Sequence, residues 1–262
     1  NLTVGAGIFV LPAIVALDLG AAGFVAYIIC AALMLLVMLC FADIGSKVTD
    51  SGGTYAYVEY AFGPYIGFLI NTLFWFGYSI VSDAAIANAM ADMIATFYPG
   101  LNEKFLRICF FVLVFGFFAW VNIKGVKNGE RLVVINTIAK LLPISILVLY
   151  GLFHVKSINL KVTSWPAFSS FGEMALVLFF AFVGAETALG NSSEIKKPKK
   201  NIPKGILMGL SGILIIYLSI QFISQGILGD SLASYKEAPL AETAKSILGN
   251  GGYQMILIGG II

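Results

Sequence analysis

The sequence predicts an all-α fold in the form of a polytopic transmembrane helical bundle. Of its 262 residues, 59% are hydrophobic and 11% are charged, whereas a soluble globular chain carries roughly 25% charged residues. Helices of this composition are apolar on every face, and a bilayer hides such faces where a water-soluble core cannot. The net charge is only +2 and no basic patch is interleaved with aromatic residues, which argues against nucleic acid as a partner.

Apolar runs of about 20 residues, the length that crosses a bilayer, predict the individual spans. A short opening segment runs from Val4 to about Leu19 and is broken by Gly5, Gly7 and Pro12. Longer spans follow at 22–42, 67–97, 105–122, 132–153, 172–190 and 204–226. A last span begins near Gly251 and is cut at Ile262. Because the chain opens at Asn1 without an initiator Met, we expect its start to be cut as well.

The basic residues predict the orientation, because Lys and Arg concentrate in cytoplasmic loops. With the loop after the second span in the cytoplasm, nine basic residues lie inside and six outside. The local cluster Lys196-Lys197-Pro198-Lys199-Lys200 adjoins two span ends and weighs most. We therefore expect a multi-pass protein of the cell membrane whose Lys196–Lys200 loop is cytoplasmic. The lipid bilayer is then one partner, and a homodimer is left open.

The three cysteines lie inside apolar runs and show no metal-ligand spacing, so we interpret Cys30, Cys40 and Cys109 as small buried hydrophobic residues. No cofactor and no metal site are expected.

Glycines interrupt two of the spans, at residues 4–12 and 180–190. A break at bilayer depth is costly unless the freed backbone groups face a cavity or ligand; a single glycine pair would otherwise indicate only close helix packing. The breaks fall in the first and sixth spans, an offset that favours a five-plus-five inverted repeat. Residues 1–153 would form the first repeat and residues 172–262 part of the second.

Two broken helices of this kind predict a site for the charged head of an amino acid. Backbone amides around Gly5, Ala6, Gly7 and Ile8 lie at the positive end of a half-helix and suit a carboxylate. Carbonyls freed along Phe182, Val183, Gly184 and Ala185 suit an α-ammonium.

Ordered motifs carry a family resemblance over essentially the whole chain. They are Gly5-Ala6-Gly7-Ile8-Phe9 with Leu11-Pro12, Ser51-Gly52-Gly53-Thr54-Tyr55-Ala56-Tyr57 with Phe62-Gly63-Pro64, and 180–188 with Glu194, Pro198 and Ile202-Pro203. This series resembles the amino acid–polyamine–organocation permeases. The resemblance implies a LeuT-type fold of ten core helices, usually twelve in all, and secondary transport by alternating access. The chain would end within the eighth helix.

Among the charged residues inside the predicted spans, Lys140 is the strongest candidate for a functional role. It lies nine residues, or about 13 Å, into the fifth span. The resemblance implies that it replaces the sodium ion of related carriers and touches carbonyls near Gly5. Because it is buried, this lysine is also a candidate for proton coupling. A lysine paired with a carboxylate for packing is the alternative.

Two acidic residues are further candidates for the substrate site. The resemblance places Glu186 where a polyamine and arginine/agmatine antiporter branch has a glutamate, either as a contact for a cationic substrate or as a protonatable gate. That branch lacks the lysine, so the charge of the substrate stays open. Asp83, with Ser82, matches a helix that lines the pocket in that branch, and a packing role is equally compatible with it.

These features together predict a sodium-independent amino acid permease or exchanger, with proton symport and substrate exchange both open. A polyamine or basic amino acid antiporter is the first alternative, and a transport-inactive amino acid sensor is another. A channel would need a continuous polar lining, and an enzyme would need more than the single His154. The expected small-molecule partner is therefore an amino acid or a polyamine.

Overall fold

The computed structural model describes residues 5, 7–48, 52–95, 98–124, 126–184 and 195–261, of which the side chains of 126–132 and 261 are left out. All regular elements in these ranges are helical, as predicted. The α-helices are α1 (Gly7–Leu19), α2 (Gly23–Lys47), α3 (Thr54–Phe62), α4 (Pro64–Leu73), α5 (Ile80–Ala95), α6 (Lys104–Ile123), α7 (Val126–Gly151), α8 (Phe168–Phe182), α9 (Pro198–Leu228) and α10 (Pro239–Ile261).

Long apolar helical stretches confirm a multi-pass membrane protein. In the described part of the chain, five stretches are long and apolar enough to cross a bilayer: Gly7–Lys47, Pro64–Ala95, Lys104–Ile123, Val133–His154 and Pro198–Ser234. The first of these contains both α1 and α2, which separate at Gly20 with a positive φ of 51°. The apolar helix Phe168–Phe182 is shorter.

The N-terminal part of the bundle differs from the prediction at Pro12. α1 is a continuous helix from Gly7 to Leu19 and runs through Pro12, so Gly7 and Pro12 do not break it. The proline is tolerated because it removes only one hydrogen bond, to Ile8, close to the helix start. Any interruption lies before Gly7, where residues 1–4 and 6 are outside the described residues.

Two helical stretches were not predicted, and each ends at a glycine. α3 lies between Gly53 and Gly63, with φ of 53° and 85°. α10 begins at Pro239 instead of near Gly251, and a non-helical Gly249 (φ 67°, ψ −159°) divides it. α3 and the part of α10 before Gly249 are each shorter than a membrane span, so a search for runs of about 20 apolar residues does not detect them. The predicted span 67–97 is divided in a different way, because a π-helical segment, Phe74–Ser79, joins α4 to α5.

The buried core lies among α1, α2, α8, α9 and α10, and α2 has α8 and α9 as its main neighbours. Its largest fully buried side chains include Phe182, Met38 and Tyr217. Helices α4 to α6 instead direct large apolar side chains such as Phe68 and Leu113 outward, as lipid-facing helices do. One expectation for the cysteines was wrong. Cys30 is buried and Cys109 is half-buried, but Cys40 is exposed on the apolar surface of α2.

Candidate functional site

The break predicted at residues 180–190 begins where α8 ends. The helix stops at Phe182, Val183 is extended (φ −64°, ψ 147°), and Gly184 has a φ of 110° that side chains rarely tolerate. With 15 residues α8 is about 22 Å long, less than the roughly 30 Å of a bilayer core. By itself α8 is therefore too short to cross the bilayer core. Ala185 and Glu186 lie outside the described residues.

Two tyrosines from neighbouring helices hold this helix end in place. The hydroxyl of Tyr217 on α9 donates a hydrogen bond to the carbonyl of Ala181 at 2.6 Å, and its ring meets Phe182 edge-on at 5.1 Å. Tyr27 on α2 packs against Tyr217 at 6.2 Å between ring centroids and donates to Oε1 of Gln221 at 3.3 Å. The Ala181 carbonyl therefore already has a donor from the protein and is not among the acceptors left for an ammonium at this helix end.

The position of these tyrosines in the sequence already indicates a role for their hydroxyl groups. Both lie inside apolar spans, and a hydroxyl at that depth requires a partner. Tyr27 and Tyr217 were therefore identifiable as polar contacts within the bundle, although their partners were not.

The start of α1 offers hydrogen-bond donors, whereas the end of α8 offers acceptors. The N–H groups of Gly7, Ile8 and Phe9 belong to the first helical turn, where intrahelical acceptors are lacking. No acidic residue occupies that turn to neutralise the positive end of the helix. The side chains of Ile8 and Phe9 are buried, and Gly5 is half-buried. Ala6 lies outside the described residues. Helices α1 and α8 pack against each other.

Adjacent glycines of α10 connect α1 with the turn of α7 that carries Lys140. A Cβ on Gly260 would lie 3.4 Å from Phe9 of α1, and one on Gly259 would lie 3.1 Å from Pro143 of α7. Lys140 is half-buried, and in the described part of the chain no carboxylate lies within ion-pair distance of it. The packing alternative therefore has no described partner, and Glu186 is outside the described residues.

Asp83 is not brought together with the two helix ends. It is exposed in a groove of about 340 Å³ between α5 and α6, beside Phe111 and Phe115. Ser82 is half-buried on the same helix. The described residues contain no group of three or more His, Cys, Asp or Glu side chains that could hold a metal ion.

Comparison with known proteins gives matches over the whole chain. A sequence model of the family described as amino acid permease matches residues 1–262. The serine/threonine exchanger SteT of Bacillus subtilis is 26% identical over 99% of this chain and 60% of its own length. The arginine/agmatine antiporter of Chlamydia felis is 28% identical over 99% of this chain and 57% of its own. The cadaverine/lysine antiporter of Escherichia coli is 26% identical over 94% of this chain and 56% of its own. The chain thus spans a little over half the length of these relatives.

Proposed function

The chain belongs to the amino acid permease family, and from that premise we propose that it forms the substrate site of a secondary amino acid permease or exchanger that works by alternating access. The observation that carries the proposal is the non-helical backbone at Val183 and Gly184, directly after α8, a helix that packs on α1. In a membrane-spanning chain, such a helix end leaves backbone acceptors that a ligand satisfies. The serine/threonine exchanger among the relatives supports an amino acid as the substrate.

The two helix ends offer opposite partial charges to one small zwitterion. The N–H groups at Gly7 and Ile8 bind the carboxylate, and Gly5 lets the backbone approach it closely. The carbonyls from Phe182 onward bind the ammonium. Because each helix end provides about half an elementary charge, neither needs a charged side chain to select the head group.

The repeat organisation supports this arrangement. We place α1 at the start of a first repeat, residues 1–153, and α8 at the start of a partial second repeat, residues 172–262. The two starting helices pack against each other, as is expected where the substrate site lies at the interface of the two repeats. Alternating access then consists of tilting of the bundle around this pair.

Lys140 provides the fixed positive charge in this proposal. It lies on the turn of α7 that packs against Gly259, and the adjacent Gly260 packs against Phe9 of α1. Its ammonium substitutes for a coupling sodium ion. Transport is then sodium-independent. Proton symport and substrate exchange remain the two candidate driving forces.

A second candidate is a polyamine or basic amino acid antiporter. It is favoured by two of the relatives, whose names give arginine/agmatine and cadaverine/lysine as their substrates. Glu186 is the residue that would contact the additional cationic group. A sensor of permease ancestry would bind an amino acid without moving it.

Counterflow in proteoliposomes containing the full-length protein separates these functions. Vesicles are loaded with unlabelled serine, lysine or cadaverine, and labelled serine, lysine or cadaverine is added outside at pH 5.5 and pH 7.5. An exchanger of neutral amino acids accumulates label only in the serine pair, whereas an antiporter accumulates it with lysine and cadaverine. Binding of serine by the detergent-solubilised protein, without accumulation in any pair, would contradict transport.

A further inference from the structure

The start of α9 concentrates the positive charge of the chain. Five of the 16 basic residues lie within nine positions and are all exposed, and we call them the basic cluster: Lys196, Lys197, Lys199, Lys200 and Lys204. The helix itself contains no acidic residue. Among the described residues no ion pair includes a lysine of the cluster, and Glu194 is outside the described residues. The counter-charge of the cluster is therefore to be sought outside the described protein.

Packing holds the start of α9 at one end of the bundle. Ile202 is 3% exposed and packs with Val48, directly after α2, and with Tyr57 of α3. On the neighbouring last turns of α2, Asp43 is already paired with Lys47 at 2.7 Å. The start of α9 and the end of α2 thus lie together, on the side of the membrane predicted to be cytoplasmic.

The length of α9 places the basic cluster at the level of the lipid head groups. The 24 residues from 205 to 228 carry no charged side chain, and they are about 36 Å long. This length covers the roughly 30 Å of the bilayer core. Lys204 and the residues before it therefore lie at the membrane surface, and lysine side chains on a helix extend towards its N-terminus, away from the core.

One face of α9 joins two of these lysines to an apolar stripe. Lys200, Lys204, Met208, Ile215 and Phe222 follow one another at intervals of four, four, seven and seven residues, which places them on one side of the helix. All five are exposed, Met208 and Ile215 by 65% and 64%. We call this side the lipid-facing stripe.

The combination of charge and apolar surface defines the ligand. Two lysines one turn apart repel each other, and the positive end of the helix adds to this repulsion. A phosphate group between them removes the repulsion, and acyl chains attached to it cover the stripe below. A lipid that also carries an ammonium group offsets part of this gain, and a soluble anion leaves the apolar stripe uncovered. The preference of basic residues for cytoplasmic loops accounts for the side of the membrane but not for this alignment with the stripe.

We infer that the lipid-facing stripe of α9 binds an anionic phospholipid of the leaflet next to the basic cluster, with the phosphate at Lys200 and Lys204 and an acyl chain along Met208 and Ile215. Juxtamembrane groups of four to eight basic residues are typical of sites for anionic lipids. The inference requires only that the chain crosses the membrane, so it stands or falls independently of transport.

Photo-crosslinking of the full-length protein tests the site. The protein is reconstituted into phosphatidylcholine vesicles that contain a trace of phosphatidylglycerol or of phosphatidylcholine, each with the same diazirine-bearing acyl chain. Mass spectrometry is expected to find residues 204–215 labelled roughly tenfold more by the phosphatidylglycerol probe, because each lysine favours an anionic lipid by a factor of about five and salt screens part of this. Soluble glycerol phosphate should not compete.

Charge variants then assign the preference to the two lysines. Lys200→Gln/Lys204→Gln is expected to lower phosphatidylglycerol labelling to the level of phosphatidylcholine, and Lys200→Arg/Lys204→Arg to retain it. Lys156→Gln/Lys161→Gln, which removes two exposed lysines at the other end of the bundle, is the matched control and should label as the wild type does.

Four results would each overturn the inference. Equal labelling of the wild type by both probes would mean that the stripe does not select charge, and absence of labelling would mean that protein covers it. Equal losses in the two glutamine double variants would assign the effect to the overall charge of the protein. Competition by glycerol phosphate would identify a site for a soluble anion instead of a lipid.

Discussion

The two helix ends at the candidate site are held in different ways. The end of α8 is fixed by the protein, through the hydroxyl of Tyr217 on its last turn and the ring contact with Phe182. The start of α1 has buried apolar side chains but no acidic residue on its first turn. The contrast teaches that the acceptor side is a fixed scaffold. The donor side carries a positive helix end that no side chain of its first turn neutralises, and in our proposal the carboxylate of the substrate neutralises it.

The largest effect is expected from removing Lys140, the positive charge that in our proposal replaces the coupling ion. Lys140→Ala in the full-length protein should lower uptake by roughly 100-fold or more, since about 3 kcal/mol is a moderate value for an interaction with a buried charge. Membrane insertion should be unchanged. Uptake into proteoliposomes is the measurement, with the exposed Lys236→Ala as the matched control.

A second test of Lys140 replaces sodium with choline in the uptake assay. Wild-type uptake should not change, because the ammonium of Lys140 replaces the ion. A strong sodium requirement, or wild-type uptake by Lys140→Ala, would remove Lys140 from the mechanism.

A change at the fixed end should come next in size. Gly184→Ala places a Cβ on a residue with a φ of 110°, which costs about 1–2 kcal/mol of strain and should lower uptake roughly tenfold. Gly172→Ala on the same α8 is the matched control, because nothing lies within 4 Å of its added Cβ. Equal uptake by the two variants would show that the break at Gly184 has no functional role.

A carboxylate introduced at the start of α1 should compete with the substrate. Gly7→Asp adds an acidic side chain at a first-turn position where, among the residues that the structure describes, a Cβ meets only Leu11, at 3.4 Å. The helix tolerates that charge, which stabilises its start by about 0.3–1 kcal/mol. Substrate affinity should fall about fivefold, by equilibrium binding, and Gly7→Asn should fall less. Equal losses in both variants would indicate steric blocking instead of charge.

The smallest effect on transport is expected from loosening the fixed end without changing its backbone, and the change is measured as protein stability. Tyr217→Phe leaves the Ala181 carbonyl unpaired and should cost about 1–3 kcal/mol of stability. Tyr27→Phe removes only a 3.3 Å bond to Gln221 and should cost about 1 kcal/mol. Thermal unfolding in detergent measures both. A larger loss of stability in Tyr27→Phe would show that the end of α8 is held mainly through α2.

The sequence predicted the parts of this structure that follow from hydrophobicity and backbone chemistry. The apolar runs locate the membrane helices, and the glycine at 184 locates the end of α8, because only glycine adopts that backbone conformation without strain. Composition did not predict α3 or the first half of α10, which are shorter than a span and end at Gly63 and Gly249.

The candidate site was less predictable, because it depends on which helices pack together. Pro12 suggested a break that one lost hydrogen bond does not produce, and Asp83 faces α6 instead of the helix ends. The pair of tyrosines that holds the end of α8, Tyr27 and Tyr217, is formed by residues 190 positions apart in the sequence. No local pattern specifies such a pairing, since it results from the packing of α2 against α9.

The two glycines of α10 have a mechanical consequence. With no side chain at Gly259 or Gly260, the backbone of α10 lies against Pro143 on one side and against Phe9 on the other. The side chain of Met93 from α5 also lies against Gly260, at 3.1 Å from such a Cβ, but α10 itself places no side chain between these surfaces. A tilt of α1 must therefore either open a gap beside Gly260 or carry α10, and with it the turn that holds Lys140. The pair acts as a stiff linkage between the first turn of α1 and the charge on α7.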